Sequence, residues 1–235
     1  MASQEKALRY LSQDRLFYMD MLEPIRRGSA RLLYAEEDGV LLHERESGAH
    51  MLTVRDEAAL EKVLPLLSGC EVLVGHELWC KDALVRCSGL REEELLLYQA
   101  GWMEPEPPAA LPFNGELRLL TEDWAPWAYA HYSHPFGGVE YMVGAVRRGM
   151  LGAFVAGEPA GFVSFHDEGT IGMLEVLPQY RRRGLGEVLL RAAVRLALER
   201  GQYAFGQVRV ENAPSLALQR KVGMTVSKDI LYWLF

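Results

Sequence analysis

Residues Leu174–Arg191, LEVLPQYRRRGLGEVLLR, decide the fold of this chain. The apolar run before Pro178 is typical of a strand, and the run after Gly186 is typical of a helix. The loop between them holds three consecutive arginines and two glycines. The first N–H groups of a helix have no partner inside the helix, and glycines let a ligand approach the backbone closely. The segment therefore predicts a cradle for a phosphate or pyrophosphate, with arginines supplying positive charge.

Two common phosphate-binding loops are excluded by their spacing. The run Gly-x-x-x-x-Gly-Lys-Ser/Thr does not occur in the chain. The dinucleotide-binding pattern Gly-x-Gly-x-x-Gly/Ala requires a small residue where this sequence has Leu189. The cradle is therefore of another kind.

The helix predicted after the loop, over 187–200, has one narrow polar stripe. Its members recur every four residues: Glu187, Arg191, Arg195 and Glu199. The remaining positions from 188 to 198 are apolar, which predicts that the helix lies against a sheet.

Two sequence motifs, and their separation along the chain, resemble those of the GNAT superfamily of N-acyltransferases. The first is Val176-x-Pro178 followed by Arg181-x-x-Gly184-x-Gly186. The second, which marks the next helix, comprises Asn212, Ser215, Leu218, Lys221 and Gly223. The resemblance covers roughly 116–235 and implies a mixed α/β (α+β) fold, with a mostly antiparallel sheet flanked by helices. The run LEVLPQYR is also similar to the glycine N-acyltransferase-like branch.

The resemblance implies that acetyl-CoA is the acyl donor and that no metal is needed. The backbone of Val176 and Leu177 would pair with the pantetheine arm, and the N–H groups of 182–186 would hold the pyrophosphate. Asn212 would reach the pantetheine or the thioester, unless it only caps the helix that follows. The implied CoA-binding residues are Val176, Leu177, Arg181, Arg182, Arg183, Gly184, Leu185, Gly186, Asn212 and Ser215.

The catalytic residues depart from the family pattern. Gln219 stands where relatives often have a tyrosine acid, and it cannot give up a proton at neutral pH. Thr170 stands where relatives often have a carboxylate base. Glu175, on the same strand, is the candidate base, with an ion pair to a motif arginine as the alternative. His166 and its two acidic neighbours are further candidates.

The chain divides at a proline-rich run. Four prolines fall within 105–112, which excludes a helix or a central strand and indicates a semi-rigid linker. Residues 1–115 carry 12 Lys and Arg against 20 Asp and Glu, whereas 116–235 carry 13 against 12. The sequence therefore predicts a smaller N-terminal α/β domain over 1–101, a linker over 102–115 and the catalytic domain over 116–235. The first domain could be a degenerate copy of the transferase fold or a module that shapes the acceptor site.

The composition excludes several classes of protein. Three cysteines without metal or redox spacing, and the lack of a signal peptide or a membrane span, predict a cytoplasmic protein. The charge distribution implies no broad basic surface, so nucleic acid is not an expected partner. The expected activity is transfer of an acetyl or other short acyl group to an amine of a small molecule or peptide. The alternative is a CoA-binding regulatory module without turnover. The oligomeric state is left open.

Overall fold

The computed structural model describes residues 2–90, 95–134 and 136–235. The chain forms two compact units that are not continuous in sequence. The first comprises residues up to Ala100 together with Val208–Ala213 and Val226–Phe235. The second comprises Gly101–Gln207 and Pro214–Thr225. No described helix is long and apolar enough to cross a membrane.

Eight α-helices and eleven strands are found among the described residues. The helices are α1 Ala2–Leu11, α2 Met19–Arg27, α3 Glu57–Val63, α4 Lys81–Ser88, α5 Ala125–His131, α6 Gly138–Arg147, α7 Leu185–Glu199 and α8 Ala213–Val222. The strands are β1 Ala30–Glu36, β2 Gly39–Glu44, β3 His50–Val54, β4 Leu73–Gly75, β5 Leu95–Gly101, β6 Glu116–Leu119, β7 Leu151–Val155, β8 Glu158–Phe165, β9 Ile171–Val176, β10 Phe205–Arg209 and β11 Thr225–Leu234.

The first unit is built on a seven-stranded sheet with the order β1-β2-β3-β4-β11-β5-β10. The pair β3–β4 is parallel, whereas β1–β2, β2–β3 and β4–β11 are antiparallel. Apolar side chains of β3, α3, α4 and β11 form its core. The first unit also buries a polar pair, His76 and Asp20. Nε2 of His76 lies 3.1 Å from a carboxylate oxygen of Asp20.

The second unit is built on the antiparallel sheet β6-β7-β8-β9. Phe162 of β8 belongs to the core that α5 and α6 form on one face of this sheet. The neighbouring Gly161 faces α7, since a Cβ at that position would lie 3.3 Å from Leu189. Successive residues of a strand point to opposite faces. The sheet is therefore covered by α5 and α6 on one side and by α7 on the other.

Strand β9 carries a break in register next to its centre. Phe162 pairs with Glu175 and Ser164 pairs with Gly172, so one residue of β8 faces two residues of β9. Met173 has a φ of 52°, in the left-handed region. This arrangement is a β-bulge, which bends a strand and changes the face on which the following side chains lie.

The structure confirms the predicted mixed fold with mostly antiparallel sheets and flanking helices. The helix predicted over 187–200 is α7, and its polar stripe forms the ion pairs Glu187–Arg191 and Arg195–Glu199. Residues 102–115 contain no helix or strand. β11 is grouped with the first hundred residues in the compact units, and the division into domains at 1–101, 102–115 and 116–235 stays a prediction.

We expect a fragment of residues 116–235 not to fold alone. It would carry β11 without β4, although Tyr232 pairs with Gly75 and the tyrosine ring occupies the space where a Cβ of that glycine would be. The measurement is the dispersion of its amide NMR spectrum, with a mixture of fragments 1–115 and 116–235 as the control for complementation. A dispersed spectrum of 116–235 alone, together with acetyl-CoA binding, would contradict this expectation.

Candidate functional site

The loop between β9 and α7 has the backbone of an anion-binding loop. Arg182 and Gly184 are left-handed, with φ values of 64° and 81°. Left-handed residues in such loops allow successive N–H groups to converge on one anion. Glu187 N–H donates to the carbonyl of Gly184 at 3.0 Å, so the N–H groups of Leu185 and Gly186 precede the hydrogen bonds of the helix. The first turn of α7 therefore offers N–H donors without a partner inside the helix, together with the positive end of the helix dipole.

The two glycines of the loop differ in what the fold requires of them. Gly184 needs its left-handed backbone, although a Cβ there would meet open space. Gly186 has no such conformation, and a Cβ there would make only ordinary contacts at 3.5 Å to Leu218 and 3.9 Å to Leu174 and Val176. The glycine at 186 is thus demanded neither by backbone conformation nor by packing, although a side chain there would point toward these three apolar residues.

The three arginines are not equivalent. Arg181 is held by the protein, since its Nε donates to the carbonyl of Val176 at 2.8 Å and its guanidinium pairs with Glu175 at 3.2 Å. Arg182 and Arg183 are exposed, and the Arg183 guanidinium lies 5.9 Å from the ring of Tyr180. Two positive charges therefore stand beside the start of α7, and the third fixes the loop to β9.

The end of β9 offers backbone groups at its outer edge. Leu177 N–H donates to the carbonyl of Ala160, and Tyr180 N–H donates to the carbonyl of Leu177, both at 2.9 Å. The backbone of Leu177 is therefore already bonded within the protein. Because alternate residues of a strand direct their backbone groups to opposite edges, Val176 is the one of the two that faces the outer edge. β9 is the last strand of its sheet; at this edge the Val176 carbonyl accepts from Arg181, and near the start of the strand Gly206 of β10 lies close to the carbonyl of Ile171.

Glu175 lies beneath this edge and is only 8% exposed. Its Oε2 accepts hydrogen bonds from the backbone N–H of Ser133, at 3.1 Å, and from the hydroxyl of the same residue. Its Oε1 pairs with Arg181. Both carboxylate oxygens are engaged, as in the ion-pair alternative considered from the sequence, and the role of base stays a prediction. Sequence reasoning missed Ser133, because its contact with Glu175 joins residues 42 positions apart.

Thr170, at the position where relatives often have a carboxylate, is buried at the start of β9. Its hydroxyl donates to the carboxylate of Glu168, which is itself 6% exposed. A carboxylate is therefore present at this end of the strand, but it comes from the turn that precedes β9.

Helix α8 is fixed to α7 by an ion-pair network. Glu187 pairs with Lys221 at 2.8 Å and with Arg191 at 3.1 Å. The hydrogen bond from Lys221, followed by that from Arg191, holds the pKa of Glu187 below its usual value despite partial burial. The second motif thus contributes a lysine that holds the two helices together.

The other residues of the second motif are less closely defined. Asn212 is exposed in the turn before α8, within a segment grouped with the first unit, and Ser215 is half-buried. Their roles in CoA binding stay predictions. Gln219 is buried, and its Oε1 has no hydrogen-bond partner among the described residues. Within the described ranges, no cluster of three or more His, Cys, Asp or Glu could hold a metal ion.

Comparison with known proteins agrees with this geometry. Residues 115–224 match the Acetyltransferase (GNAT) family. The structure resembles a Drosophila protein solved by structural genomics, with a TM-score of 0.67 and 19% identity over 99% of this chain and 86% of that one. It also resembles a GCN5-related N-acetyltransferase from Kribbella flavida, with a TM-score of 0.57 and 15% identity over 94% and 93% of the two chains. A GCN5-related N-acetyltransferase-like protein from Streptococcus suis gives 0.55 and 16% over 100% and 98%.

No curated protein matches the sequence. The resemblance to the glycine N-acyltransferase-like branch is supported by none of these findings and stays a prediction. The matched segment contains the bulged strand β9, the arginine- and glycine-containing loop that follows it, and helix α7. Residues 115–224 of this chain are therefore an acetyltransferase domain of the GNAT family.

Proposed function

We propose that the chain is an N-acyltransferase that moves an acetyl or other short acyl group from acyl-CoA to an amine of a small molecule or peptide. The observation that carries the proposal is the start of α7, where N–H groups that precede the first helix hydrogen bond follow two exposed arginines. A pyrophosphate is the ligand that such a loop suits best, because it presents several anionic oxygens to converging N–H groups.

In this proposal the pyrophosphate of CoA lies on the N–H groups of 182–186, with Arg182 and Arg183 beside it. The pantetheine arm pairs with the outer edge of β9 at Val176. Leu177 supports the arm through its position next to this edge, and Asn212 and Ser215 are the further CoA-binding residues that the second motif implies.

Departure of the CoA thiolate requires little help from a general acid. A thiolate with a free pKa near ~8.5 leaves a tetrahedral intermediate readily, so the absence of a tyrosine at Gln219 does not prevent transfer. Backbone N–H groups released from the strand ladder at the bulge of β9 would stabilise the negative charge that develops on the thioester oxygen. A cytoplasmic location, where acyl-CoA is available, fits the three free cysteines.

Substitution of Gly186 tests the cradle. We expect Gly186→Val to weaken acetyl-CoA binding at least about tenfold, or about 1.4 kcal/mol, because its branched side chain crowds Leu218, Leu174 and Val176 and displaces the N–H groups at the start of α7. Isothermal titration calorimetry measures the effect. Gly186→Ala is the matched control, since its Cβ makes only ordinary contacts in the protein. Unchanged affinity in a folded Gly186→Val protein would place the pyrophosphate elsewhere.

Turnover separates an enzyme from a CoA-binding regulatory module. We expect the full chain to release CoA thiol from acetyl-CoA when a suitable amine is present, in an assay across a panel of small amines and peptide N-termini. Tight binding of acetyl-CoA without amine-dependent thiol release from any member of a broad panel would favour the module.

Glu175→Gln distinguishes the base from the ion-pair role. Because both oxygens of this carboxylate are bonded, we expect the variant to raise the KM for acetyl-CoA through a loosened Arg181, with kcat reduced less than about tenfold. A loss of ~10²–10⁴-fold in kcat, together with loss of the acidic limb of the pH–rate profile, would instead identify Glu175 as the base.

A further inference from the structure

His166, one of the further candidates for the base, lies next to the bulge of β9. His166 follows β8. Its backbone N–H donates to the carbonyl of Thr170 at 2.9 Å, and this hydrogen bond closes the turn before β9. Its Nδ1 lies 2.8 Å from the hydroxyl of Tyr141 on α6. Its ring stacks against Phe136, with centroids 5.8 Å apart and an interplanar angle of 17°. Phe136 is 47% exposed, so the imidazole lies directly beneath the surface on the side of α5 and α6.

The second ring nitrogen of His166 faces the backbone of β9. A Cβ at Gly172 would lie 2.3 Å from Nε2 and 2.4 Å from Cδ2, so only glycine leaves room for this ring. Gly172 immediately precedes Met173, where the pairing with β8 changes register. The imidazole is therefore fixed by one nitrogen and presents the other at the point where strand backbone groups leave the ladder.

The proposed path of the donor leads to the same point. With the pyrophosphate on the loop after Val176, an arm that follows the outer edge of β9 runs back toward the start of the strand. Gly172 lies four residues before Val176, which is about 13 Å at ~3.3 Å per residue. The thioester is at the far end of the arm, so it would reach the bulge beside His166.

The surroundings keep the imidazole neutral. Burial lowers the pKa of His166, and the charge of Arg148 acts in the same direction, whereas Glu168 and Asp167 raise it; the net direction is downward. Asp167 is itself paired with Arg148, which lies over the ring of Tyr141 from the end of α6. Glu168 accepts the hydroxyl of Thr170. A histidine with a pKa below its ordinary value of ~6.5 is unprotonated at neutral pH and can accept a proton.

We propose that His166 is the base of the acyl transfer, an inference that rests on the proposed function. The amine nitrogen attacks the thioester carbon, a C–N bond forms, and the carbonyl π electrons move to oxygen. The proton of the resulting ammonium passes to Nε2, while Nδ1–H donates to the oxygen of Tyr141. The carbonyl then re-forms, the C–S bond breaks, and the imidazolium returns its proton to the CoA thiolate. The products are the amide and CoA thiol, and the imidazole is neutral again.

This assignment also accounts for the state of Glu175. Protonation of that carboxylate would weaken its pair with Arg181 and disturb the loop in each cycle. A neutral imidazole gains and loses a proton without breaking an ion pair. It supplies the proton that the side chain of Gln219 cannot give.

The test compares His166→Gln with His43→Gln, the same substitution on β2 of the first unit. We expect His166→Gln to lower kcat ~10²–10⁴-fold with the KM for acetyl-CoA changed less than about threefold, whereas His43→Gln behaves as the native protein. The native kcat, at saturating amine, should fall as the pH drops below ~6.5, and this limb should be missing in His166→Gln. A folded His166→Gln protein with near-native kcat and an intact acidic limb overturns the proposal.

A second measurement does not require the acceptor amine. In protein labelled with ¹⁵N-histidine, the His166 resonances are identified by their loss in His166→Gln. Saturating acetyl-CoA should shift its Nε2 resonance, and CoA without the acetyl group should shift it less. If calorimetry shows that acetyl-CoA binds but the resonance does not move, the base assignment fails and the proposed function stands. If calorimetry shows no binding, the proposed function fails, and the assignment of His166 fails with it.

Discussion

The register break in β9 determines which side chains face each side of the second unit's sheet. Strand side chains alternate, so a shift of one residue exchanges the two faces for everything that follows. After the bulge, Leu174 and Val176 point toward Gly186 at the start of α7, and Glu175 points toward Ser133 between α5 and α6. Without the extra residue, the carboxylate would face the apolar side of α7, where its burial without partners would be costly.

The two ends of β9, on either side of this register break, have different proposed functions. The end at Val176 leads into the arginine loop and α7, where unpaired N–H groups and positive charge are concentrated. The start at Gly172 is covered by aromatic rings and a neutral imidazole. In the proposed function, the anionic part of the donor lies at one end of the strand and proton transfer takes place at the other. Because both ends are held by the one strand, the distance between them is fixed by backbone geometry.

The sequence predicted the parts of this site that depend on local spacing. The strand, the glycine loop, helix α7 and its polar stripe follow from residues less than about twenty positions apart, and the structure contains all of them. The bulge could not be predicted, because Met173 carries no residue-type signal for a left-handed backbone. The pairing of β11 with β4 joins residues more than 150 positions apart, which periodicity alone cannot reveal. The contact of His166 with Gly172 depends on both the turn and the bulge.

The two departures from the family motif, at Thr170 and Gln219, are consistent with the charges of the residues around them. Where relatives often have a carboxylate, Thr170 donates to a buried Glu168, whose negative charge would raise the pKa of a neighbouring imidazole. Burial and the nearby Arg148 oppose that effect and keep the ring neutral. At Gln219 a side chain without an acidic proton occupies a buried position. A site in which one neutral base accepts the amine proton and returns it to a good leaving group needs neither a strand carboxylate nor a tyrosine. Both substitutions therefore remove groups whose charge or proton the chemistry does not require.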